Sequence, residues 1–321
     1  MTLDKGLTTE IIAAPTRTLG TQPAVPVPPG VRRITVPAGS VTLSGLQSEP
    51  SHSPPRALVV ALHGGGMSAG YFDGQAHPDL SLLRLGAHLG YRVVALDRPG
   101  YGVSAAQLPH GRPLAEQAAE VAAAVRQLAS DGAVGGGVLL LGHSFGGKLA
   151  FLLAAEQAPE GLLGLDVSGC GTRLAVGPEQ VRQGGSVRRL NWGPLSLYPS
   201  GTFQAGAAAV APMPQREAES VGGWEGLSTQ VLPRVRVPVR LTFAEHEAWW
   251  RHGDEDVAEV VGRLAGAPRV VVDRLPGAGH NISLGWAART YHLRVLAFVE
   301  ECLRASDRTQ VLSGSVPDAG P

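Results

Sequence analysis

Residues 138–154 read VLLLGHSFGGKLAFLLA. An unbroken apolar run, Val138–Leu141, meets Gly142-His143-Ser144-Phe145-Gly146-Gly147 and continues as an Ala/Leu-rich stretch with helical spacing. A strand that reverses directly into a helix forces its turn residue into a sparsely populated φ/ψ region. The neighbours must be small for the two backbones to approach, and Gly142, Gly146 and Gly147 meet that need. Ser144 is then expected to project its hydroxyl from the end of a sheet at a helix N-terminus. Free N–H groups and the helix dipole favour negative charge there. The five-residue pattern alone is weak in a chain with 43 glycines, so its surroundings have to decide. His143, adjacent to the serine, is read as a packing residue rather than its base.

Outward from this turn the chain alternates strand and helix signals. Buried-strand runs occur at 57–66 (ALVVALHGGG), 91–102 (YRVVALDRPGYG) and 137–144. Helical segments near 80–89 and 113–129 separate them, and the pair of strands expected in 31–46 turns at Pro-Ala-Gly. GLLGLDVSG (161–169), VPVRLTFAEHE (237–247) and RVVVDRLPGAGH (269–280) give three further strands, with helices near 257–265 and 287–304. Continuous apolar strands between helices imply an α/β fold: a mostly parallel central sheet with helices on both faces.

The alternation stops over 172–235, which reads as a cap inserted after a strand; the core is then 31–171 and 236–304. Residues 1–30, rich in Pro and Thr, read as an extended or disordered arm, and 305–321 as a flexible tail.

The 321 residues carry 27 basic and 27 acidic side chains and are 44% hydrophobic, enough for one large core. There is no Lys/Arg stripe, which argues against a nucleic-acid or anionic-membrane surface. All basic residues are Arg except Lys5 and Lys148. The two cysteines, Cys170 and Cys302, are too few for a disulfide framework and read as buried thiols. No basic-then-apolar leader and no run long enough to span a membrane occurs, so a cytoplasmic protein is expected.

A serine hydroxyl needs a base, and the base an orienting carboxylate. His280, in LPGAGHNIS after the last strand, is the best placed of ten histidines. The preceding strand ends in LTFAEHE and offers Glu245 and Glu247. With these marks in place, residues 31–304 resemble the α/β-hydrolase superfamily. The resemblance implies a triad in the order Ser144, Glu247, His280, although Glu and Ala stand where the family commonly has Asp and Gly. Glu247 is taken as the acid and Glu245 as its alternative.

It also implies an oxyanion hole formed by the Phe145 N–H and a donor from LHGGGMSAG, with Gly65 expected and Gly64 or Gly66 possible. Asp97 and Arg98 of DRPGYG are expected to hold loops together, while Gly64, Gly66, Tyr101 and Trp249 are candidates for lining the substrate pocket. His246, His252, Asp254 and Asp256 match no metal-ligand spacing, and neither metal nor cofactor is expected.

The expected function is hydrolysis of a small-molecule carboxylic ester, thioester or lactone. Two alternatives are acyl transfer, cyclisation or carbon–carbon cleavage by the same triad, and a ligand-binding protein with little turnover. Trp192, Tyr198, Phe203 and Trp224 in the insertion suggest an apolar acyl group. Arg173, Arg182, Arg188 and Arg189 read as solvated, with recognition of an anionic group as the alternative. Oligomeric state is not legible in the sequence.

Overall fold

The computed structural model describes residues 27–177 and 187–314. Each apolar run forms a strand: β1 (Arg32–Ala38), β2 (Val41–Ser48), β3 (Leu58–Leu62), β4 (Arg92–Leu96), β5 (Val138–His143), β6 (Leu162–Ser168), β7 (Val239–His246) and β8 (Val270–Gly279). They make one eight-stranded sheet in the order β1-β2-β4-β3-β5-β6-β7-β8. The β1/β2 and β2/β4 pairs are antiparallel, and every other neighbouring pair is parallel.

Alternation along the strands feeds two cores. Leu58, Val60 and Leu62 pack with α2 (Leu114–Asp131) and α3 (Phe145–Glu156) on one face. Val59 and Ala61 pack with α1 (Leu82–His88) and the closing helix Ala288–Gly314 on the other. That last helix extends past the expected end at 304, so ten residues assigned to the tail from sequence are helical. The arm at 1–26, the tail after 314 and Arg182 lie outside the described residues.

Strand order reverses between β3 and β5, where the connections leave toward opposite sides and open a crevice at the strand ends. The His63–Gly66 loop follows β3 and Ser144 follows β5, so both border this crevice. Between β6 and β7 the chain adds no strand to the sheet and forms short helices, among them Thr202–Gly206, Gln215–Ser220 and Trp224–Val231. The insertion is hydrogen-bonded to the loop after β3. The Ser68 N–H donates to Ala209 O (2.8 Å), and the Ala211 N–H donates to Gly66 O (2.9 Å). Trp224 anchors it from the other side, donating to Gly171 O (2.9 Å) and stacking on Phe151.

One buried ionic cluster crosses the sheet. Arg240 of β7 donates to Asp166 of β6 (2.5 Å) and Asp273 of β8 (2.8 Å), and the Tyr291 hydroxyl donates to Asp166 (3.2 Å).

The turn into α3 depends on close backbone approach. A Cβ on Gly146 would overlap the Leu62 carbonyl and sit 2.7 Å from His63 O, and one on Gly142 would sit 2.5 Å from Gly146 O. Main chain cannot swing aside as a side-chain tip can. Gly146→Ala is therefore expected to destabilise the fold by about 1–3 kcal/mol, despite its gain in helix propensity. Urea denaturation of purified wild type and variant measures this.

Candidate active site

Ser144 lies between the last residue of β5 and the first of α3 with φ 53 and ψ −114. It is the only non-glycine among the described residues with positive φ. Such a conformation persists only where the surroundings fix it. Here the Ser144 N–H donates to Ser168 O (2.8 Å), and Ser144 O accepts from the Gly147 N–H (2.9 Å). Phe145 opens the helix, so its N–H has no partner within the helix and faces the end where Ser144 stands.

His280 follows β8 and is 3% exposed. Its Nδ1 lies 2.7 and 2.9 Å from the two carboxylate oxygens of Glu247, which is itself buried. A carboxylate can only accept, so Nδ1 turns a proton toward Glu247, and in the neutral imidazole the lone pair then lies on Nε2. The Glu247 carboxylate is fixed in turn by the Trp249 N–H (2.8 Å), and the Glu247 carbonyl meets His252 Nε2 (3.3 Å). Glu245 does different work: exposed, it accepts from the Gly277 N–H (2.7 Å) at the turn before His280.

Two further groups crowd His280. Its ring is tilted against that of His143, with centroids 4.8 Å apart, and a Cβ on Gly169 would come within 3.0 Å of Nδ1 and 2.9 Å of Cε1. Gly169, with φ +54, is a site residue that the sequence reading missed, though Ser168-Gly169 after a strand was a readable sign of a tight turn. His143 is fully embedded, stacked on Tyr71 (4.6 Å) and bonded to Ser168 Oγ (3.0 Å). Burial first, and then the neighbouring histidines, hold its pKa well below the usual range. It is a neutral packing residue.

The glycine loop is set from beneath by Arg98. Its Nε donates to His63 O (2.7 Å), its Nη2 to Gly64 O (3.2 Å), and its own N–H to His63 Nε2 (3.1 Å). Gly64 O also accepts from His63 Nδ1 (2.8 Å). Burial, then Arg98, push the His63 pKa well down, which keeps the ring neutral for both bonds. Asp97 holds the next stretch, accepting from the Ala69 N–H (2.7 Å) and from Ser44 Oγ (2.6 Å).

The C=O of Gly64 and the N–H of Gly65 belong to one planar peptide and point in opposite directions. With that carbonyl pinned toward Arg98, the Gly65 N–H turns away from it. Gly64 lies against Ser144, since a Cβ there would stand 3.2 Å from Ser144 Cβ.

Two pocket expectations need correction. The Gly66 N–H donates to the Tyr101 hydroxyl (3.0 Å), so it is already occupied. Tyr101 is 1% exposed, donates to Glu217 (2.7 Å) and packs edge-on against His63. The half-exposed Gly66 thus has no free N–H to offer an oxyanion, and the buried Tyr101 stabilises the loop rather than lining an open pocket. Trp249 does flank the site: its ring centroid is 6.2 Å from that of His280, and its Nε1 donates to Asn191 Oδ1 (2.7 Å) in the insertion.

A family model described as the alpha/beta hydrolase family matches residues 59–290. The chain belongs to the alpha/beta hydrolase family. Its fold is similar to a putative aryl esterase from Burkholderia cenocepacia (TM-score 0.62, 18% identity, 85% of this chain and 100% of that one). It is also similar to a highly thermostable carboxyl esterase from Bacillus coagulans (TM-score 0.61, 17% identity, 85% and 99%). An N-acyl homoserine lactonase gives TM-score 0.61 at 15% identity over 84% and 98% of the two chains. At these identities the likeness is one of fold. No curated protein matches the sequence. No helix among the described residues is long and apolar enough to cross a membrane.

One turn along α3 from Ser144, Lys148 is buried with its ammonium near the rings of Trp250 (5.2 Å), Phe145 (5.3 Å) and Trp224 (6.0 Å). It donates to Val221 O of the insertion (3.3 Å). Burial lowers its pKa to about 8, against the opposing pull of Cys170 and Glu217. The unfolded chain holds the proton up to about pH 10.4. The folded state therefore bears the penalty of the buried charge below pH 8 and is relieved of it as pH rises from 8 toward 10. Lys148→Met is expected to abolish this gain. The check is the difference in melting temperature between wild type and variant across pH 7–10, which should shift in favour of wild type above pH 8.

Proposed function

We propose that this protein is a serine hydrolase of carboxylic esters, thioesters or lactones that works through an acyl-enzyme on Ser144. The observation that carries the reading is the strained Ser144 at the α3 N-terminus together with a histidine that packs against the neighbouring His143 and whose Nδ1 is held by the buried Glu247. In the proposed mechanism His280 Nε2 takes the Ser144 proton as Oγ attacks the acyl carbon. Glu247 orients the imidazole and stabilises the imidazolium. The Phe145 and Gly65 N–H groups donate to the developing oxyanion. Collapse of the tetrahedral intermediate transfers the proton to the leaving group. Water, activated by the same histidine, then releases the acid.

The insertion is proposed to be a cap over Ser144. Its aromatic cluster of Trp192, Tyr198 and Phe203, with centroids 4.7–6.5 Å apart, supports an apolar acyl group as substrate. The fold neighbours that are a putative aryl esterase, a carboxyl esterase and a lactonase support the same choice of bond.

Fluorophosphonate labelling followed by mass spectrometry, alongside hydrolysis of short and long p-nitrophenyl esters, tests the reading. Stoichiometric label on Ser144 is expected. Ser144→Ala should lose on the order of 10³-fold or more in kcat and Glu247→Gln on the order of 10²–10⁴-fold. Glu245→Gln should stay within about threefold, because a turn-stabilising bond outside the reacting centre is a stability matter. Folded wild type that takes no label would sink the proposal. Label without ester turnover would redirect it to acyl transfer or cyclisation.

A further inference from the structure

One acidic side chain of the insertion reaches beneath the glycine loop. Glu217, on the helix Gln215–Ser220, is fully buried. Its Oε2 accepts from Arg98 Nη1 (2.7 Å), and its Oε1 accepts from Arg98 Nη2 (2.9 Å) and from the Tyr101 hydroxyl (2.7 Å). Gln117 of α2 shares Arg98 Nη1 (2.9 Å).

Both donors that Glu217 holds act on Gly65. The peptide before it is fixed through Gly64 O, which accepts from Arg98. The peptide after it is fixed through the Gly66 N–H, which donates to Tyr101. Glu217 also borders that residue directly: with Met213 it faces the Gly65 Cα, its Oε1 standing 3.2 Å from where a Gly65 Cβ would lie. An unpaired guanidinium or phenol in this dry environment would seek other acceptors, and the bonds that aim the two peptides would be the ones lost.

We propose that Glu217 is a positioning residue for the Gly65 N–H: the insertion supplies the carboxylate that keeps Arg98 and Tyr101 where they set the peptides on either side of that donor. The inference rests on the serine-hydrolase reading of the site. It makes assembly of the oxyanion donor conditional on the insertion being seated, so covering the serine and completing the donor set are one event.

The test compares wild type with Glu217→Gln, Glu217→Asp and Tyr101→Phe. A tetrahedral-adduct inhibitor, a trifluoromethyl ketone of matched acyl length, is assayed beside a p-nitrophenyl ester. Glu217→Gln keeps the shape but sets an amide N–H against Arg98 Nη1. It is expected to lower kcat by about tenfold or more, with KM within about threefold. Affinity for the ketone should fall by the same factor as kcat/KM, and the downfield proton resonance of His280 Nδ1–H should persist. Tyr101→Phe leaves the Arg98–Glu217 pair standing and frees only the Gly66 N–H, so it should give a smaller fall of the same kind.

A merely structural Glu217 would lower the melting temperature and leave kcat and ketone affinity within twofold in the folded fraction; that result overturns the proposal. If Glu217→Gln does not fold, Glu217→Asp, which keeps the charge, and Tyr101→Phe decide in the same way. Wild type that takes no fluorophosphonate label overturns the hydrolase reading and this inference together. Labelled wild type beside unimpaired variants overturns the inference alone.

Discussion

α3 can start where it does because its first turn carries no side chain on the face that meets β3. Gly146 lies against the carbonyls of Leu62 and His63, and Gly142 against the carbonyl of Gly146. Close approach brings the end of β5 and the loop after β3 to within contact of each other. It also leaves Ser144 no room for a relaxed backbone, and the strain is held by a helix buried along its first ten residues, Phe145–Ala154. Two chemically unlike requirements, a kinked serine and a flanking amide donor, thus follow from the same absence of side chains.

The second organising force is electrostatic. Arg98 has no exposed surface and spends its donors on two backbone carbonyls, an amide and a carboxylate. Burial, the largest single influence, depresses its pKa, but Glu217 and Tyr101 together more than offset this and hold the guanidinium above its usual value. A buried ion pair is weak evidence for stability and better evidence for a single geometry, because breaking either half strands a charge. The Asp166–Arg240–Asp273 cluster serves the opposite side of the sheet in the same manner, tying three strands that precede and follow the insertion.

Most of the fold was legible because its central strands, β3, β4 and β5, are short and largely apolar and its turns carry glycine. The candidate site was legible where chemistry dictates residue type: a serine in a Gly-rich turn, a late histidine, an acid at a strand end. Glu245 and Glu247 could not be told apart from sequence, since residues two apart share one face of a regular strand. The structure separates them because pairing with β8 slips between Ala244 and His246 and a turn closes from the Glu247 N–H to Ala244 O.

Tyr101 misled because a tyrosine beside a glycine loop suits a pocket as well as a core, and only its partners decide. Glu217 gave no signal at all. It sits in a short polar helix whose pattern, QREAES, is that of a solvated surface, and its burial is set by a partner more than a hundred residues earlier. The charged members of β6, β7 and β8 were hidden for the same reason.

The seam between the insertion and the loop after β3 is made of main chain: Ser68 to Ala209, Gly66 to Ala211, with Met67 and Val210 paired between them. Backbone bonds are indifferent to side-chain identity. Val210 and Met213, respectively 51% and 41% exposed, stand beside that seam, Met213 directly over Gly65. These positions can be exchanged without unzipping the join that holds the insertion in place. Such an arrangement separates the main-chain join, which must stay constant, from exposed side chains that are free to vary while the scaffold stands still.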